Sequence, residues 1–316
     1  MTDAALGIDL GGTKIAAALV SEAGEVLAHR SLPTDAGQGQ AAVIGRMVRL
    51  SNELIQEAGQ RSLNLLGLGV GSPGLVDAIN GTVFNAVNLG WQEVHLADEL
   101  TDRLQWSLPV WVQKDGNALA IGEYVFGAAR DCPDFLYLSL GTGLGGGLFA
   151  AGQLISGANW NATEVGHISL DPLNGRMCAC GLRGCAETVL SGQGLVALYN
   201  KRTAAAGKPA PEAISPVEII RAARQQEGLA LQVMAEMGRT LGTMIAFCAA
   251  FTNPSLVVIG GGLGQAVFDL LLPHARAELE KRVLTASHAG LRIVPSQQES
   301  SALGPASLVW YSKPRR

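Results

Sequence analysis

A strand, glycine-rich turn, strand pattern occurs twice in this chain of 316 residues and restricts its fold more than any other feature. In the first copy, apolar runs at 5–10 and 14–20 flank a turn at 11–13; in the second, the run 135–140 enters a turn at 141–147. Neither turn opens a helix, as a P-loop or a dinucleotide-binding turn would. Backbone N–H groups of such turns can bind phosphate. One phosphate-sized turn in each half predicts a nucleotide held by two related domains.

The side chains near these glycine runs leave two interpretations open. Asp9, at the end of the first strand, can hold Mg²⁺ through water, and Thr13 can offer its hydroxyl to a phosphate, but the same residues fit an ordinary hairpin turn. A further run, Gly260–Gly262, ends the buried strand 256–259. A side chain there would collide with a flat ligand such as adenine, although a plain strand–helix turn is the alternative.

Three of the five cysteines lie close together at Cys178, Cys180 and Cys185, and His167 precedes them. Three sulfurs and one imidazole form a full tetrahedral shell for zinc. Buried or disulfide-paired cysteines are the alternative, but a disulfide between Cys178 and Cys180 would be strained. The spacing therefore favours zinc. Because no ligand position stays open, this zinc is expected to be structural and not catalytic.

Composition and charge exclude several classes of protein. An apolar content of 48% can build a sizeable core, and the length suggests about two domains. The formal charge of −4 and the pI near 5.8 argue against a surface for nucleic acid or anionic membrane. The N-terminus lacks the pattern of a signal peptide, which predicts a cytoplasmic protein. The uncharged run 240–268 is interrupted by Asn253-Pro254 and by glycines, so it predicts a buried helix followed by a buried strand.

Two polar positions follow predicted strands, where α/β proteins place ligands. Asn88 lies beside an aromatic residue in the loop after the strand 65–70, an arrangement that suits a polyol but also an ordinary turn asparagine. Asp115 follows the strand 110–113 and begins the next helix. It is either a helix N-cap or a general base that accepts a hydroxyl proton, and the residues around it leave both open.

Together these motifs resemble the ROK family of sugar kinases (repressors, open reading frames, kinases) over essentially the whole chain. The matching segments are I-D-L-G-G-T-K at 8–14, S-P-G-L-V-D at 72–77, N-L-G-W at 88–91, D-G-N-A at 115–118, G-T-G-L-G-G-G at 141–147, E-V-G-H at 164–167 and C-A-C-G-L-R-G-C-A-E at 178–187. The resemblance implies an α/β, actin-like (ribonuclease H-like) ATPase fold, with two α/β domains around a cleft. Residues 1–115 with about 302–316 would form a smaller domain, and 116–301 a larger one with a zinc-binding segment at 167–185.

The resemblance also implies roles for individual residues. Asp115 is expected to be the general base that deprotonates the sugar 6-hydroxyl. The expected sugar ligands are Asn88, Asp115, Glu164, His167 and Glu187, with His167 also binding zinc. The expected nucleotide-binding residues are Asp9, Gly11, Gly12, Thr13, Lys14, Gly141, Thr142, Gly143, Gly145, Gly261 and Gly262. The implied reaction is ATP-dependent phosphorylation of glucose to glucose 6-phosphate, a step of glycolysis, with ATP, Mg²⁺ and Zn²⁺ as cofactors.

Two departures from the family pattern lie on the sugar side. Lys114 stands where the family has an asparagine that touches the sugar, and Thr163 replaces the glycine before Glu164. A lysine cannot accept a hydrogen bond. Fructose, mannose, N-acetylmannosamine and N-acetylglucosamine therefore remain alternative acceptors, polyphosphate remains an alternative donor, and a non-catalytic sugar-binding regulator remains an alternative class.

The family's repressors carry a helix-turn-helix before the first turn, whereas here about seven residues precede Ile8. Neither nucleic acid nor membrane is an expected partner. The resemblance implies a homo-oligomer, either a dimer or a tetramer.

Overall fold

The computed structural model describes residues 2–209 and 213–312, and the chain divides into two compact units. Unit 1 comprises Met1–Asp131, Leu154–Ala162 and Gln297–Arg316. Unit 2 comprises Cys132–Gln153 and Thr163–Ser296. Both units are built from a β-sheet with helices packed against it, which is consistent with an actin-like fold of two α/β domains.

The regular elements follow one another in this order. The first part of the chain contains β1 (Asp3–Leu10), β2 (Lys14–Ser21), β3 (Val26–Pro33), α1 (Gln40–Gln60), β4 (Asn64–Ser72), β5 (Leu75–Asp77), β6 (Thr82–Ala86), β7 (Trp91–His95), α2 (Leu96–Leu104), β8 (Val110–Lys114) and α3 (Asp115–Val125). The second part contains β9 (Phe135–Leu140), β10 (Leu144–Ala150), β11 (Gln153–Leu154), α4 (Gly192–Ala205), α5 (Pro216–Arg224), α6 (Gly228–Thr252), β12 (Leu256–Gly260), α7 (Gly262–Arg282), α8 (Thr285–His288), β13 (Arg292–Pro295) and α9 (Leu303–Tyr311).

Unit 1 is organised around a five-stranded sheet in the order β3-β2-β1-β4-β8. The first three strands form an antiparallel meander, and β4 and β8 add parallel to β1. The apolar face of α1 packs on this sheet through residues that include Val43, Ile44 and Met47, all fully buried. Their helical spacing matches the periodicity that predicted the helix.

The opposite side of β1 and β4 is covered by α9, which returns to unit 1 from the end of the chain. Gly7 and Gly69 face this helix, and a Cβ at either position would overlap backbone atoms of α9 or of the residue before it. Glycine is needed there because helix and sheet approach more closely than any side chain permits.

The boundary between the units lies at Asp131 and not at residue 115 as expected from the sequence. The reason is the packing of α3, which begins at Asp115 and rests on α9: a Cβ at Gly304 would lie 2.8 Å from the carbonyl oxygen of Ala118. The Gln298 side chain also donates to the Leu119 carbonyl at 2.8 Å. Unit 1 is therefore not the smaller of the two, because the units are nearly equal in length. Residues 313–316 of the expected first domain lie outside the described residues.

Unit 2 repeats the strand arrangement of unit 1, with the sheet order β11-β10-β9-β12-β13. β9 and β10 are antiparallel, and β12 and β13 are parallel to β9. The repeated antiparallel hairpin with parallel neighbours confirms that the two glycine turns occupy equivalent positions in related sheets.

The uncharged run near residue 250 forms α6 followed by β12, as predicted. The two elements place Met237, Ile245 and Val258 in the core of unit 2, where all three are fully buried. Within the described part of the chain, no helix combines the length and the apolar character needed to cross a membrane.

Candidate functional site

The first glycine turn joins β1 to β2 and is held by a residue from another strand. Gly11 N–H donates to the Lys14 carbonyl at 3.0 Å, which closes the turn. Thr34, which follows β3 and is fully buried, donates its N–H to the Thr13 carbonyl at 2.8 Å. Its hydroxyl donates to the Gly11 carbonyl at 2.6 Å. These bonds leave the exposed Gly12 and Thr13 free to face a ligand. No local pattern in the sequence indicates this role for Thr34.

Asp9 lies one residue before the end of β1. Burial raises the pKa of its carboxyl above the ordinary value of 3.8, while a hydrogen bond with the Ser301 side chain and the charge of Lys14 partly oppose this effect. Ser301, which directly precedes the α9 region, thus contacts the carboxylate predicted to hold Mg²⁺ through water. The sequence patterns did not indicate Ser301 as a partner of Asp9.

Asn88 lies next to the first glycine turn. It occupies a short 3₁₀ helix, Val87–Leu89, and its side chain is exposed. A Cβ at Gly12 would lie 3.3 Å from the Asn88 Cβ, so the two residues are neighbours in unit 1. The structure therefore brings a predicted sugar ligand and a predicted phosphate-binding residue together.

Asp115 is the first residue of α3, where β8 ends. Its Oδ1 accepts a hydrogen bond from the Gly116 N–H at 2.6 Å. The N-cap position is Lys114, so the interpretation of Asp115 as the N-cap is wrong. The buried Gln113 side chain accepts hydrogen bonds from the N–H of Lys114 and from the Asn117 amide, at 2.9 and 3.2 Å, and thereby fixes this strand–helix junction.

Lys114 itself is only 6% exposed. Its side chain is therefore almost entirely withdrawn from solvent.

The second glycine turn is shorter than the sequence indicated. The N–H of Gly141 donates to the Gly143 carbonyl at 2.9 Å, and β10 already begins at Leu144. Gly145 is therefore a strand residue and not part of the turn, because it pairs with Ser139 of β9. The Gly141 carbonyl accepts from the N–H of Gly192, the first residue of α4, at 2.9 Å. The amino end of a helix thus lies beside the turn, a favourable position for an anion.

The third glycine run joins β12 to α7 at the same end of the unit 2 sheet. Gly261 has φ 77°, and a Cβ there would overlap the backbone of Leu140. The turn geometry and this close packing are sufficient to explain a glycine at 261. Gly262 differs, because a Cβ there meets nothing within 4 Å. The space next to Gly262 is therefore open.

The predicted metal ligands converge in unit 2. One ligand atom from each of His167, Cys178, Cys180 and Cys185 lies within 4.8 Å of the other three. The Sγ atoms of Cys180 and Cys185 are 3.6 Å apart, and His167 Nδ1 is 3.8 Å from Cys178 Sγ. Zn–S bonds of about 2.3 Å in a tetrahedron imply sulfurs about 3.8 Å apart, so the residues fit a zinc ion. Nδ1 is the histidine nitrogen on the cluster side, which leaves Nε2 for another partner.

The thiols of this cluster differ in acidity. Burial, reinforced by hydrogen bonds that the Cys185 thiol donates to its neighbours Cys180 and Cys178 and by their charge, raises the pKa of Cys185 to about 12. The pKa of Cys180 is lowered, chiefly by a hydrogen bond from the Leu182 backbone. A cation among the sulfurs would allow them to ionise together, because metal ligation deprotonates thiols.

Glu187 connects the cluster to the second glycine turn. It lies in a short 3₁₀ helix, Ala186–Thr188, directly after Cys185. Its Oε2 accepts from the Leu144 N–H at 2.9 Å, and its Oε1 lies 3.9 Å from Cys178 Sγ. The sequence predicted Glu187 as a sugar ligand and gave no sign of the bond to Leu144.

The predicted sugar ligands are divided between the units. Asn88 and Asp115 belong to unit 1, and Glu164, His167 and Glu187 to unit 2. Within unit 2, the His167 N–H donates to the Glu164 carbonyl at 3.0 Å, so these two residues share one short turn.

Comparison with known proteins identifies the family. The ROK family model matches residues 5–311, which is almost the whole chain. The chain belongs to the ROK family. It is 32% identical to a glucokinase of Halalkalibacterium halodurans, over 96% of this chain and 94% of the relative. It is 30% identical to a xylose repressor of Caldicellulosiruptor bescii, covering 94% of this chain and 75% of that protein.

A solved structure of a ROK family member has the same fold. The ROK glucokinase of Streptomyces griseus, in complex with glucose and AMPPNP, is 30% identical to this chain. The two superpose with a TM-score of 0.81, over 98% of this chain and 100% of the other. These comparisons establish the family and the fold. The relatives named above include both kinases and a repressor.

Proposed function

We propose that this chain is an ATP-dependent sugar kinase that transfers the γ-phosphoryl group of ATP to the 6-hydroxyl of glucose. The observation that carries the proposal is Asp115, held at the first position of α3 and hydrogen-bonded to the Gly116 N–H. The helix start favours its negative charge. The similarity to two glucokinases supports glucose as the acceptor.

Asp115 acts as the general base. Its carboxylate takes the proton of the sugar hydroxyl while the hydroxyl oxygen attacks the γ-phosphorus. The bond from that phosphorus to the bridging oxygen breaks, and ADP leaves with the electron pair. The protein contributes mainly by positioning and by electrostatic stabilisation, as is usual for phosphoryl transfer.

The two glycine turns bind the phosphates of ATP. Gly11–Thr13, braced by Thr34, and Gly141–Gly143, beside the start of α4, present backbone N–H groups. Asp9 would hold Mg²⁺ through water, and a bound Mg²⁺ would supply positive charge to offset that of the phosphates. Gly262 leaves space for the adenine ring.

The metal cluster orients the sugar ligands of unit 2. His167 would hold zinc through Nδ1, the nitrogen near Cys178, and would donate from Nε2 to a sugar hydroxyl, because a metal bond on one nitrogen fixes the tautomer of the other. Glu164 and Glu187 accept from further hydroxyls. Zinc holds these residues in place when bound and takes no part in phosphoryl transfer.

Replacing Asp115 tests the mechanism. We expect Asp115→Asn to lower kcat by about 10²- to 10⁴-fold, since this is the usual contribution of a positioned general base. AMPPNP binding should be retained. Asp98→Asn is the matched control because Asp98 is an exposed carboxylate in the first turn of α2. Turnover of Asp115→Asn near that of the unchanged protein would contradict the mechanism.

The substrate is tested by ADP release from the zinc-loaded protein with ATP, Mg²⁺ and a panel of sugars. The panel contains glucose, mannose, fructose, N-acetylglucosamine and N-acetylmannosamine, with polyphosphate replacing ATP in a parallel series. We expect glucose to give the highest kcat/KM. Preference for another sugar would implicate the buried Lys114, and sugar binding without turnover would identify a non-catalytic regulator instead.

A further inference from the structure

Glu187 touches two parts of unit 2 that have separate roles in the proposed reaction. One carboxylate oxygen, Oε2, accepts the Leu144 N–H at 2.9 Å, directly after the phosphate turn Gly141–Gly143. The other, Oε1, lies 3.9 Å from Sγ of the metal ligand Cys178. A single side chain therefore spans the distance between the metal cluster and the turn.

On the side of the turn, the fit is tight. A Cβ at Gly143 would overlap Glu187 Oε2, so the carboxylate occupies the space that a side chain would need. The turn itself is closed by the bond from the Gly141 N–H to the Gly143 carbonyl. The position of the carboxylate is thus linked to the conformation of the turn.

On the side of the cluster, the backbone that carries Glu187 is tied to the metal ligands. The Ala186 N–H donates to the carbonyl of Ile168, the residue after His167, at 2.9 Å. The Thr188 hydroxyl donates to the Cys185 carbonyl at 2.7 Å. These two hydrogen bonds join the backbone on either side of Glu187 to Ile168 and Cys185. Metal binding by His167 and Cys185 would therefore restrict the backbone that carries Glu187.

We propose that Glu187 is a positioning residue that couples metal occupancy of the cluster to nucleotide binding at Gly141–Gly143. This inference rests on the proposed function, since it takes that turn as a phosphate-binding turn. A bound metal orders the residues around Glu187. Glu187 then holds the Leu144 amide and the turn in the conformation that binds phosphate. A Cys178 thiolate bound to metal has no proton to donate to Glu187 Oε1. The metal-loaded protein therefore keeps only the other of these two hydrogen bonds, from the Leu144 N–H to Glu187 Oε2.

The coupling is reciprocal by thermodynamic linkage. Zinc should tighten AMPPNP binding by the same factor by which AMPPNP tightens zinc binding, on the order of 10-fold. Zinc affinity is measured by competition with a chromogenic chelator, with and without AMPPNP and Mg²⁺. AMPPNP affinity is measured by calorimetry with the metal-free and the zinc-loaded protein. All measurements omit sugar, because Glu187 is also a proposed sugar ligand.

Two substitutions break the connection from opposite sides. In Glu187→Ala the carboxylate is lost, and in Gly143→Ala the new methyl displaces it. For both, the coupling factor should fall to about one. Gly228→Ala, at the start of α6, is the control, since its methyl meets nothing within 4 Å and Gly228 belongs to neither the turn nor the cluster; it should retain the coupling factor of the unchanged protein. The coupling factor is the ratio of AMPPNP affinities with and without zinc. A substitution that weakens AMPPNP binding equally in both states therefore leaves the factor unchanged.

The outcomes separate this inference from the proposed function. A coupling factor in Glu187→Ala equal to that of the unchanged protein would overturn it, because zinc would then act through the general order of unit 2. A factor of one in the unchanged protein would overturn it as well. A zinc-loaded protein that fails to bind AMPPNP at all would instead contradict the proposed function, and the inference would fall with it.

Discussion

Among single residues, Thr34 makes two hydrogen bonds that hold the first glycine turn. It is fully buried, and it holds the carbonyls of Gly11 and Thr13 with its hydroxyl and its N–H. A buried threonine with both donors directed at one turn stabilises a specific backbone conformation. The turn proposed to bind the phosphates of ATP is thereby held in one conformation.

Thr34→Val removes the hydroxyl and keeps the shape of the side chain. We expect the free energy of unfolding to fall by about 1–3 kcal/mol, since the Gly11 carbonyl loses a buried donor. The KM for ATP should rise as the turn loosens. Urea denaturation and steady-state kinetics measure the two effects. Thr34→Ser, which keeps the hydroxyl, should lower the free energy of unfolding less and raise the KM for ATP less than Thr34→Val. Equal effects of the two substitutions would show that Thr34 acts by packing and not through its hydroxyl.

Asp9→Asn should separate stability from activity. Because burial raises the pKa of Asp9 in the folded protein, its ionised form opposes folding at neutral pH. The substitution should therefore raise the free energy of unfolding at pH 7 and lower kcat/KM for ATP with Mg²⁺. The gain in stability should shrink as the pH falls through the raised pKa and should vanish below 3.8, where Asp9 is protonated in both states.

The pH dependence of Asp9→Asn is measured by urea denaturation across the acid range. Asp102→Asn, at an exposed position of α2, serves as the control and should change stability by less than about 0.5 kcal/mol. A loss of stability in Asp9→Asn at neutral pH would show that the contacts with Ser301 and Lys14 outweigh the cost of burial.

At the scale of elements, the segment from His167 to Cys185 has little regular structure of its own. It contains no α-helix, and its β-pairing is limited to isolated bridges at Ser169 with Cys185 and at Met177 with Arg183. Leu173 and Met177 are exposed, so the segment buries little apolar surface of its own. Metal ligation is the interaction that can hold such a segment.

We expect one zinc ion per chain in metal analysis of the purified protein. Cys185→Ser should reduce the zinc content to nearly zero and make the segment sensitive to protease, since a serine hydroxyl does not replace a thiolate ligand. Cys248→Ala is the matched control because Cys248 is a buried cysteine of α6 outside the cluster. Full zinc content in Cys185→Ser would contradict the assigned ligand set.

At the scale of the whole molecule, the end of the chain completes the core of unit 1. Ala302 and Ala306 are fully buried against Ala18 and Val20. Gly69 of β4 lies directly under Pro305. Unit 2 has a separate core, formed mainly by α6, α7 and its own sheet.

Deletion of residues 297–316 should therefore destabilise unit 1 selectively. We expect amide hydrogen exchange to show loss of protection in β1 and β4, because the face covered by α9 becomes exposed. β9 and β12 of unit 2 serve as the internal reference and should keep their protection. Equal loss in both sheets would mean that the cores do not fold independently.

Much of the fold follows from local patterns. The apolar spacing of α1, the uncharged run of α6 and the buried strand of β12 all have the predicted structure. The helix α7 is not indicated by its sequence, since it begins with glycines and contains Pro273. Its packing against α6 overrides these unfavourable local preferences.

The sequence by itself determined the types of elements such as α1, α6 and β12, the two glycine turns and the four metal donors, because periodicity, backbone freedom and ligand chemistry are properties of neighbouring residues. Tertiary structure alone decided the unit boundary at Asp131, the support of Gly11 by Thr34 and the bond from Leu144 to Glu187. These contacts join residues 23 and 43 positions apart in the chain. Such pairs meet only when strands and helices pack, since no short-range preference encodes them.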